Sequence, residues 1–318
     1  MQKKRVEILV PLYNDAHRIE RFVQEVVRIN TTTKKNVSLS ILFINDGSSD
    51  NPHSVIKGLK TKIPISMIEL SRNFGKEAAI TAGLDNFQGD GVVLIDVDLQ
   101  DPIELVDSLI SVWLKEKHDV VLAKRSSVAG ENNSRRKFSR LYLKIFKRLS
   151  GLKIENNVGE TRLLSAKAVR AFVSLRENQR FVRGIFSWIG FNHGLVVFDR
   201  QESTEKSRFT RGKLLKLALD GIFSFSLAPI RTITLLGLSF TFLTLIAIIA
   251  IVTLRAKGVI TLPGYTSTLI VIVMTSAIQL TSIGIIGEYL GRTFLEAKRR
   301  PIYVIADFHK YSRNLSQR

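Results

Sequence analysis

Between residues 6 and 123, short apolar runs alternate with amphipathic stretches. The runs VEILVPL (6–12), VSLSILFI (37–44), ISMIEL (65–70), VVLI (92–95) and DVVLA (119–123) are rich in β-branched residues and predict strands. Stretches near 16–29, 75–87 and 102–116 carry the helical period and predict helices between them. This alternation predicts an α/β domain built on a mostly parallel sheet, with helices on both faces. Such sheets bind ligands beyond the carboxyl ends of their strands, and here those ends share a polar character. They read Tyr13-Asn14-Asp15, Asn45-Asp46-Gly47-Ser48-Ser49-Asp50, Ser71-Arg72-Asn73-Phe74-Gly75-Lys76 and Asp96-Val97-Asp98. A single acidic turn can be a helix cap, a role that suits Asp50 and Asp101. Four polar ends on one edge predict a binding site.

From residue 232 the pattern changes. TITLLGLSFTFLTLIAIIAIVTL (232–254) and TSTLIVIVMTSAIQLTSIGIIG (266–287) contain no charge. At ~1.5 Å per residue the first would run roughly 35 Å, against a hydrocarbon core of about 30 Å. Both predict transmembrane helices. Arg208, Arg211, Lys213, Lys216 and Arg231 precede the first run, and Arg292, Lys298, Arg299 and Arg300 follow the second; only Arg255 and Lys257 lie in the charged part of the loop between. The positive-inside tendency then puts both flanks in the cytoplasm, as expected of an integral protein of the cell inner membrane. KLLKLALDGIFSFSL (213–227) gathers Leu215, Leu219, Ile222 and Phe223 on one face, as a helix lying in the membrane interface does. The expected organisation is a cytoplasmic domain over 1–210, a juxtamembrane helix over 211–230, two spans over 231–290 and a basic tail over 291–318. At the other end, the apolar start of MQKKRVEILVPLYND is cut by Glu7 and Pro11, which suits a first strand and not a signal peptide.

Charge narrows the partners. Lys and Arg outnumber Asp and Glu by 47 to 28 among 318 residues, a net charge of +19, so an anionic partner is expected. Many of the cations flank the apolar runs or fall in NNSRRKFSRLYLKIFKRLSG (132–151), whose Leu141, Ile145 and Leu149 form a helical apolar face. No aromatic platform or nucleic-acid motif accompanies them, so membrane apposition and phosphate binding are expected, and nucleic acid is not. The absence of cysteine excludes disulfides and thiolate metal sites. No Gly-x-Gly-x-x-Gly or Gly-Lys-Ser/Thr loop is present, which removes the defining features of dinucleotide and P-loop sites. Phosphates must be held another way, and two carboxylates spaced i, i+2 at a strand end, Asp96 and Asp98, can share a hard divalent cation that neutralises a diphosphate.

Taken together, PLYND (11–15), INDGSSD (44–50), SRNFGKEAAITAGLD (71–85) and IDVDLQDP (95–102) resemble the family 2 glycosyltransferases of GT-A fold. More narrowly the chain resembles the polyprenyl-phosphate glycosyltransferases of the dolichyl-phosphate mannose synthase-like group. GETRLLS (159–165), ALDGIFSFS (218–226), the two apolar runs and KRRPIYVI (298–305) are similar to its bacterial, two-span glucosyl-transferring members. The resemblance implies that Pro11, Tyr13, Asp15 and Asp46 hold the nucleobase and ribose of a sugar nucleotide, with Lys76 nearby. It implies that Asp96 contacts the nucleotide and that Asp96, Asp98 and Gln100 bring Mg²⁺ or Mn²⁺ to the diphosphate. Asp98 and Glu160 are the implied catalytic groups, and Arg125, Arg135, Ser139, Lys206 and Arg208 the implied acceptor-phosphate group. Asp15 stands where the family usually has Glu, and Glu160 where it commonly has Asp.

The implied reaction is inverting transfer of a sugar, glucose from UDP-glucose in the first instance, to a membrane polyprenyl phosphate such as undecaprenyl phosphate. GDP-mannose or a modified UDP-sugar is the alternative donor, and membrane lipids and a homo-oligomer are further expected partners. A processive polysaccharide synthase is a rival within the superfamily, although Gln179-Arg180-Phe181 only loosely echoes its acceptor motif. A basic, non-enzymatic membrane-anchored binding protein is the rival from another class.

Overall fold

The computed structural model describes residues 3–32, 36–126, 144, 146–152, 155, 157–178, 180–199, 228–257 and 264–311. The chain divides into two compact units, residues 1–216 with 301–318, and residues 217–300.

The first unit is built on a sheet of strands β1 (Lys4–Leu12), β2 (Val37–Asn45), β3 (Ile65–Leu70), β4 (Gly91–Leu94), β5 (Val120–Arg125), β6 (Val158–Ser165), β7 (His193–Phe198) and β8 (Ile305–Tyr311). Their order across the sheet is β7-β5-β6-β4-β1-β2-β3-β8. Strands β1 to β5 and β7 run in one direction, while β6 and β8 run against them. The expected mostly parallel sheet is therefore present, with β6 inserted antiparallel between β4 and β5. That insertion is what brings the Gly159–Arg162 stretch beside the carboxyl end of β4, since Leu94 lies opposite Arg162.

Helices α1 (Ala16–Thr32), α2 (Pro52–Gly58), α3 (Lys76–Asp85), α4 (Glu104–Glu116), α5 (Ala166–Ser174) and α6 (Val182–Trp188) cover the sheet. The main core lies on one face, where Val6, Ile8 and Val10 of β1 and Ile41 and Phe43 of β2 meet Ile19, Phe22 and Val26 of α1 and Val106 and Leu109 of α4. Because side chains alternate along a strand, Leu9, Leu42 and Ile44 bury themselves on the other face, towards α3. Burial on both faces explains why β1 and β2 read as nearly continuous apolar runs. Helix α3 sits close to β1: a Cβ on Gly83 would stand 2.3 Å from Leu9 Cδ1.

Two sequence expectations are corrected. Asp101 does not cap α4; Ile103 occupies the N-cap with no side-chain bond, and the Asp101 carboxylate is engaged elsewhere. Asp50 does not cap the helix that follows it, a role taken by Asn51, which accepts the N–H of Ser54. Asp50 instead reaches across to accept the N–H of Ala16 at 2.7 Å, so it caps α1 from the neighbouring loop.

The second unit contains α7 (Ala228–Ala256) and α8 (Tyr265–Ala297). Leu235, Leu238, Phe242 and Leu243 of α7, and Val271, Ile272, Leu280 and Ile283 of α8, are exposed. Among the described residues no helix is long and apolar enough to cross a membrane. Helix α8 continues past the second uncharged run to Ala297, and an ion pair between Glu288 and Arg292 lies on that extension. The stretch after it is not simply a basic tail: Ile305–Tyr311 forms β8 and pairs antiparallel with β3, so this part of the chain belongs to the first unit. The juxtamembrane stretch 213–227 lies outside the described residues.

Candidate active site

Because β1 to β4 are parallel and adjacent, their carboxyl ends open onto one edge of the sheet. Pro11 is still within β1, opposite Ile44, and Tyr13 just beyond it is half exposed. Asp15 pairs with Arg18 one helical turn on, at 3.4 Å. Asn14 takes a positive φ of 56° and ties this end to the next loop, its Oδ1 accepting from the N–H and the hydroxyl of Ser49 at 2.8 and 3.0 Å.

Asp46 is buried and spends both oxygens on the loop after β3, accepting the N–H of Phe74 at 2.7 Å and of Gly75 at 2.9 Å. Burial outweighs these bonds and pushes its pKa up. Its observed work is to fix the turn that delivers Lys76 to the start of α3. Gly47 completes that arrangement: its φ is +64°, and a Cβ there would stand 2.4 Å from the carbonyl carbon of Arg72.

The centre of the site is Lys76. Its Nζ lies 2.7 Å from Asp96 Oδ1, 2.9 Å from Asp96 Oδ2 and 3.2 Å from Glu160 Oε2. Burial would lower the pKa of Lys76, but the charges of Asp96 and Glu160 reverse this and raise it. For Glu160, burial pushes upward, and Lys76, Arg183 and Arg162 together outweigh it, holding the carboxyl below the usual carboxylate range. The Lys76–Asp96 partners point in different directions, since burial raises Asp96 even though Lys76 opposes it. The ionised pair is the form the geometry supports: an ammonium within hydrogen-bond reach of both oxygens favours the carboxylate.

Asp98 sits in the turn after β4, where Leu99 has φ +54° and Asp98 Oδ1 accepts the N–H of Gln100 at 3.1 Å. That bond leaves Asp98 Oδ2 with no partner among the described residues. No cluster of three or more His, Asp or Glu groups able to hold a metal is present among the described residues. Asp96 and Asp98 still fit a hard divalent ion, because Mg²⁺ is commonly held by one or two carboxylates with substrate phosphates and water completing its shell.

Asp101, the third acid of the stretch, faces β6 and β5. Its Oδ2 accepts the Thr161 hydroxyl at 2.6 Å, and Oδ1 lies 3.5 Å from the guanidinium of Arg125. Arg125 in turn lies against Gly159, where a Cβ would come within 3.2 Å of its Nη2. The part of β6 carrying Glu160 is braced from within by the buried Arg162, which donates to the carbonyls of Glu160 at 3.0 Å and Gly159 at 2.8 Å and stacks on Phe186. Burial lowers the pKa of Arg162 to about 10.

The structure thus brings together Lys76, Asp96 and Glu160, places Asp98 and Gln100 in the same turn, and sets Arg125 beside Gly159 and Thr161 of β6 through Asp101. Arg135, Ser139, Lys206 and Arg208 lie outside the described residues. Sequence reasoning missed Glu77, Arg162 and Arg183, all of which flank Glu160. Glu77 and Arg162 stand inside motifs already quoted; Arg183 stands in none, and only the packing of α6 brings it in. A surface pocket lined by Val23, Val27 and Leu59 between α1 and the end of α2 involves none of these groups.

The open, mostly parallel sheet, with an Asp-x-Asp turn, a buried aspartate and a paired lysine at its carboxyl edge, is a GT-A-like α/β domain. Residues 7–172 match the family described as glycosyl transferase family 2, and the chain belongs to that family. It is 39% identical over 310 residues to the SfII prophage-derived bactoprenol glucosyl transferase of Shigella flexneri, covering 96% of this chain and 99% of that protein. It is 37% identical over 304 residues to an uncharacterized glycosyltransferase of Synechocystis, covering 95% of each. A solved glucosyl-3-phosphoglycerate synthase of Mycobacterium tuberculosis, in complex with Mn²⁺, UDP-glucose and phosphoglyceric acid, is more distant. Its TM-score is 0.48 at 15% identity, over 70% of this chain and 78% of that one, too loose a likeness to bear on substrate.

Proposed function

We propose that the protein transfers glucose from UDP-glucose to the phosphate of a membrane polyprenyl phosphate, giving an inverted, β-linked polyprenyl-phosphate glucose. The observation that carries this reading is the Asp96–Lys76–Glu160 cluster at the carboxyl edge of the sheet, in a chain similar over nearly its whole length to bactoprenol glucosyl transferases.

The nucleoside would lie along the ends of β1 and β2, against Pro11, Tyr13 and Asp15, on the floor that Asp46 and Gly47 fix. Asp96, Asp98 and Gln100 would hold Mg²⁺ or Mn²⁺, which when bound neutralises charge on the diphosphate. Lys76, paired with Asp96, would be the ammonium nearest those phosphates. Arg125, set by Asp101, together with Arg135, Ser139, Lys206 and Arg208, would hold the acceptor phosphate. A phosphate monoester is largely ionised near neutral pH, its second pKa being about 6. Its oxygen therefore attacks the anomeric carbon with no proton to remove. The bond to the UDP oxygen breaks on the opposite face, and its electron pair leaves with UDP. Glu160, kept ionised between two cations, orients the sugar and takes up no proton in this scheme.

The membrane reading rests on sequence and on helix chemistry. The two uncharged runs fall inside α7 and α8, of 29 and 33 residues. Described side chains alone do not make a span, but the full sequence of 232–254 has no charged or strongly polar residue to interrupt one. Thr234, Thr253, Thr275, Thr281 and Ser282 each return their hydroxyl to a carbonyl one turn back, an arrangement compatible with a helix in hydrocarbon. The proposed topology puts the catalytic unit and both termini in the cytoplasm, with a homo-oligomer formed through the spans. Purified full-length protein incubated with undecaprenyl phosphate, a divalent ion and a panel of nucleotide sugars, with mass spectrometry of the lipid, tests the reading. A lipid carrying one hexose from UDP-glucose supports it; a polymer, or transfer only from another donor, refutes the assigned product or donor.

A further inference from the structure

Glu160 is gripped from two sides. Lys76, the first residue of α3, lies 3.2 Å from Oε2, and Arg183, in the first turn of α6, lies 3.5 Å from Oε1. The two helices are themselves joined beside it, since the N–H of Val182 donates to Glu77 Oε2 at 3.3 Å. Neighbouring pairs, Lys76-Glu77 on α3 and Val182-Arg183 on α6, therefore interlock around one carboxylate. Phe186, one turn further along α6, stacks on Arg162, which braces the backbone of Gly159 and Glu160.

A plain surface ion pair is the simpler explanation of Arg183, whose side chain is 43% exposed. Pairs so exposed add little to stability, so stability is a weak reason for the arrangement. The partners of Lys76 supply a better one. Lys76 is shared between Asp96 and Glu160, and a bound diphosphate would compete for the same ammonium. Once Lys76 turns to that diphosphate, Arg183 is the cation still paired with the Glu160 carboxylate, since Arg162 spends its donors on the carbonyls of Glu160 and Gly159.

We propose that Arg183 is a positioning residue for glycosyl transfer, fixing the Glu160 carboxylate so that it meets the hydroxyls of the transferred hexose as the glycosidic bond breaks. The inference rests on the reading of the chain as a polyprenyl-phosphate glucosyltransferase and adds to it a residue from outside every motif of the sequence.

A double-mutant cycle on full-length protein tests it, with Arg183→Met, Arg183→Lys, Glu160→Gln and the Met/Gln double variant. Each is assayed with UDP-glucose and undecaprenyl phosphate for lipid transfer, and with UDP-glucose alone for slow UDP release. Arg183→Met is expected to lower kcat roughly tenfold to a hundredfold with the KM for UDP-glucose within about twofold, as for an interaction made in the transition state. Arg183→Lys should restore most of the loss, and adding Arg183→Met to Glu160→Gln should cost less than about twofold, because the two act as one unit. An unchanged kcat in Arg183→Met overturns the proposal, as does a fully additive double variant. So does an equal fall in thermal midpoint for the Met and Lys variants that tracks their lost activity. The two assays separate the levels: a wild type that releases UDP but glucosylates no lipid refutes the assigned acceptor, while the cycle read on UDP release still decides the role of Arg183.

Discussion

Glu7 should make the folded protein less stable as the pH rises towards neutrality. It lies in the middle of β1, where a carboxylate is out of place, and its Oε2 is buried without a hydrogen-bond partner. Burial pushes its pKa from 4.5 to about 7, against the opposing bond from the backbone N–H of Gln88. In the unfolded chain the group ionises near its ordinary value, so between the two pKa values folding takes up a proton. A group raised in this way costs stability progressively from about pH 4.5 to about pH 7 and by a constant amount above that. The shift corresponds to about 3 kcal/mol above neutrality and less than about 1 kcal/mol near pH 5. Glu7→Gln removes the titration while keeping the shape. Thermal unfolding of the full-length protein in detergent, followed by tryptophan fluorescence from about pH 5 to about pH 8, should show wild type losing about 2 to 3 kcal/mol more than the variant across that range. For a domain of this size that is roughly 5–10 °C in Tm. Parallel Tm profiles for the two proteins would refute the reasoning, since the variant differs only in the group that titrates.

Other predictions follow from the site. Asp98→Ala should lower kcat for lipid glucosylation by about a hundredfold or more, and chelation with EDTA should abolish activity that Mg²⁺ or Mn²⁺ restores; turnover at undiminished rate in either test removes the metal assignment. Asp101→Asn should raise the KM for polyprenyl phosphate about tenfold while changing that for UDP-glucose little, because its carboxylate sets Arg125, and the charge-assisted contact it loses is worth about 1.5 to 3 kcal/mol. Gly47→Ala should destabilise the protein by about 2 kcal/mol or more and weaken UDP-glucose binding measured by calorimetry, since the new methyl group meets the Arg72 backbone at a positive φ. Glu77→Gln should flatten the pH dependence of stability between about pH 4.5 and pH 7, because burial and then Glu160 push Glu77 up to about 7; a profile like that of wild type counts against that burial.

The first five strands were legible because each holds a short β-branched run bounded by turn residues, and burial on both faces made those runs mostly apolar. Asp96, Asp98 and Lys76 were legible because a parallel sheet sends its strand ends to one edge. The later strands were harder to read. Strand β6, VGETRLLS, carries Glu160, Thr161 and Arg162 in its middle, and the charges hide its apolar half. Glu160 and Thr161 are met by partners far away in sequence, Lys76 and Asp101, and Arg162 by the carbonyls of Gly159 and Glu160 close by. Strand β8 follows a long helix and contains Asp307, His309 and Lys310, so nothing in its pattern marks it as the partner of β3.

Asp101 illustrates the same division within one motif. Its position before Pro102 is that of a helix cap, and local preference could suggest nothing else. The antiparallel insertion of β6 brings Thr161 and Arg125 to it, and a charged hydrogen bond in a half-buried place outweighs a cap exposed to water. By itself the amino-acid sequence determined the α/β class, the polar edge, the apolar runs and the acids of the Asp-x-Asp turn, because these depend on periodicity and on residue type at strand ends. The tertiary structure alone decided which charges meet: Lys76 between Asp96 and Glu160, Arg183 behind Glu160, and Asp101 on Arg125. Such pairings are made between residues 20 to 84 positions apart, and they exist only once the fold has closed that distance.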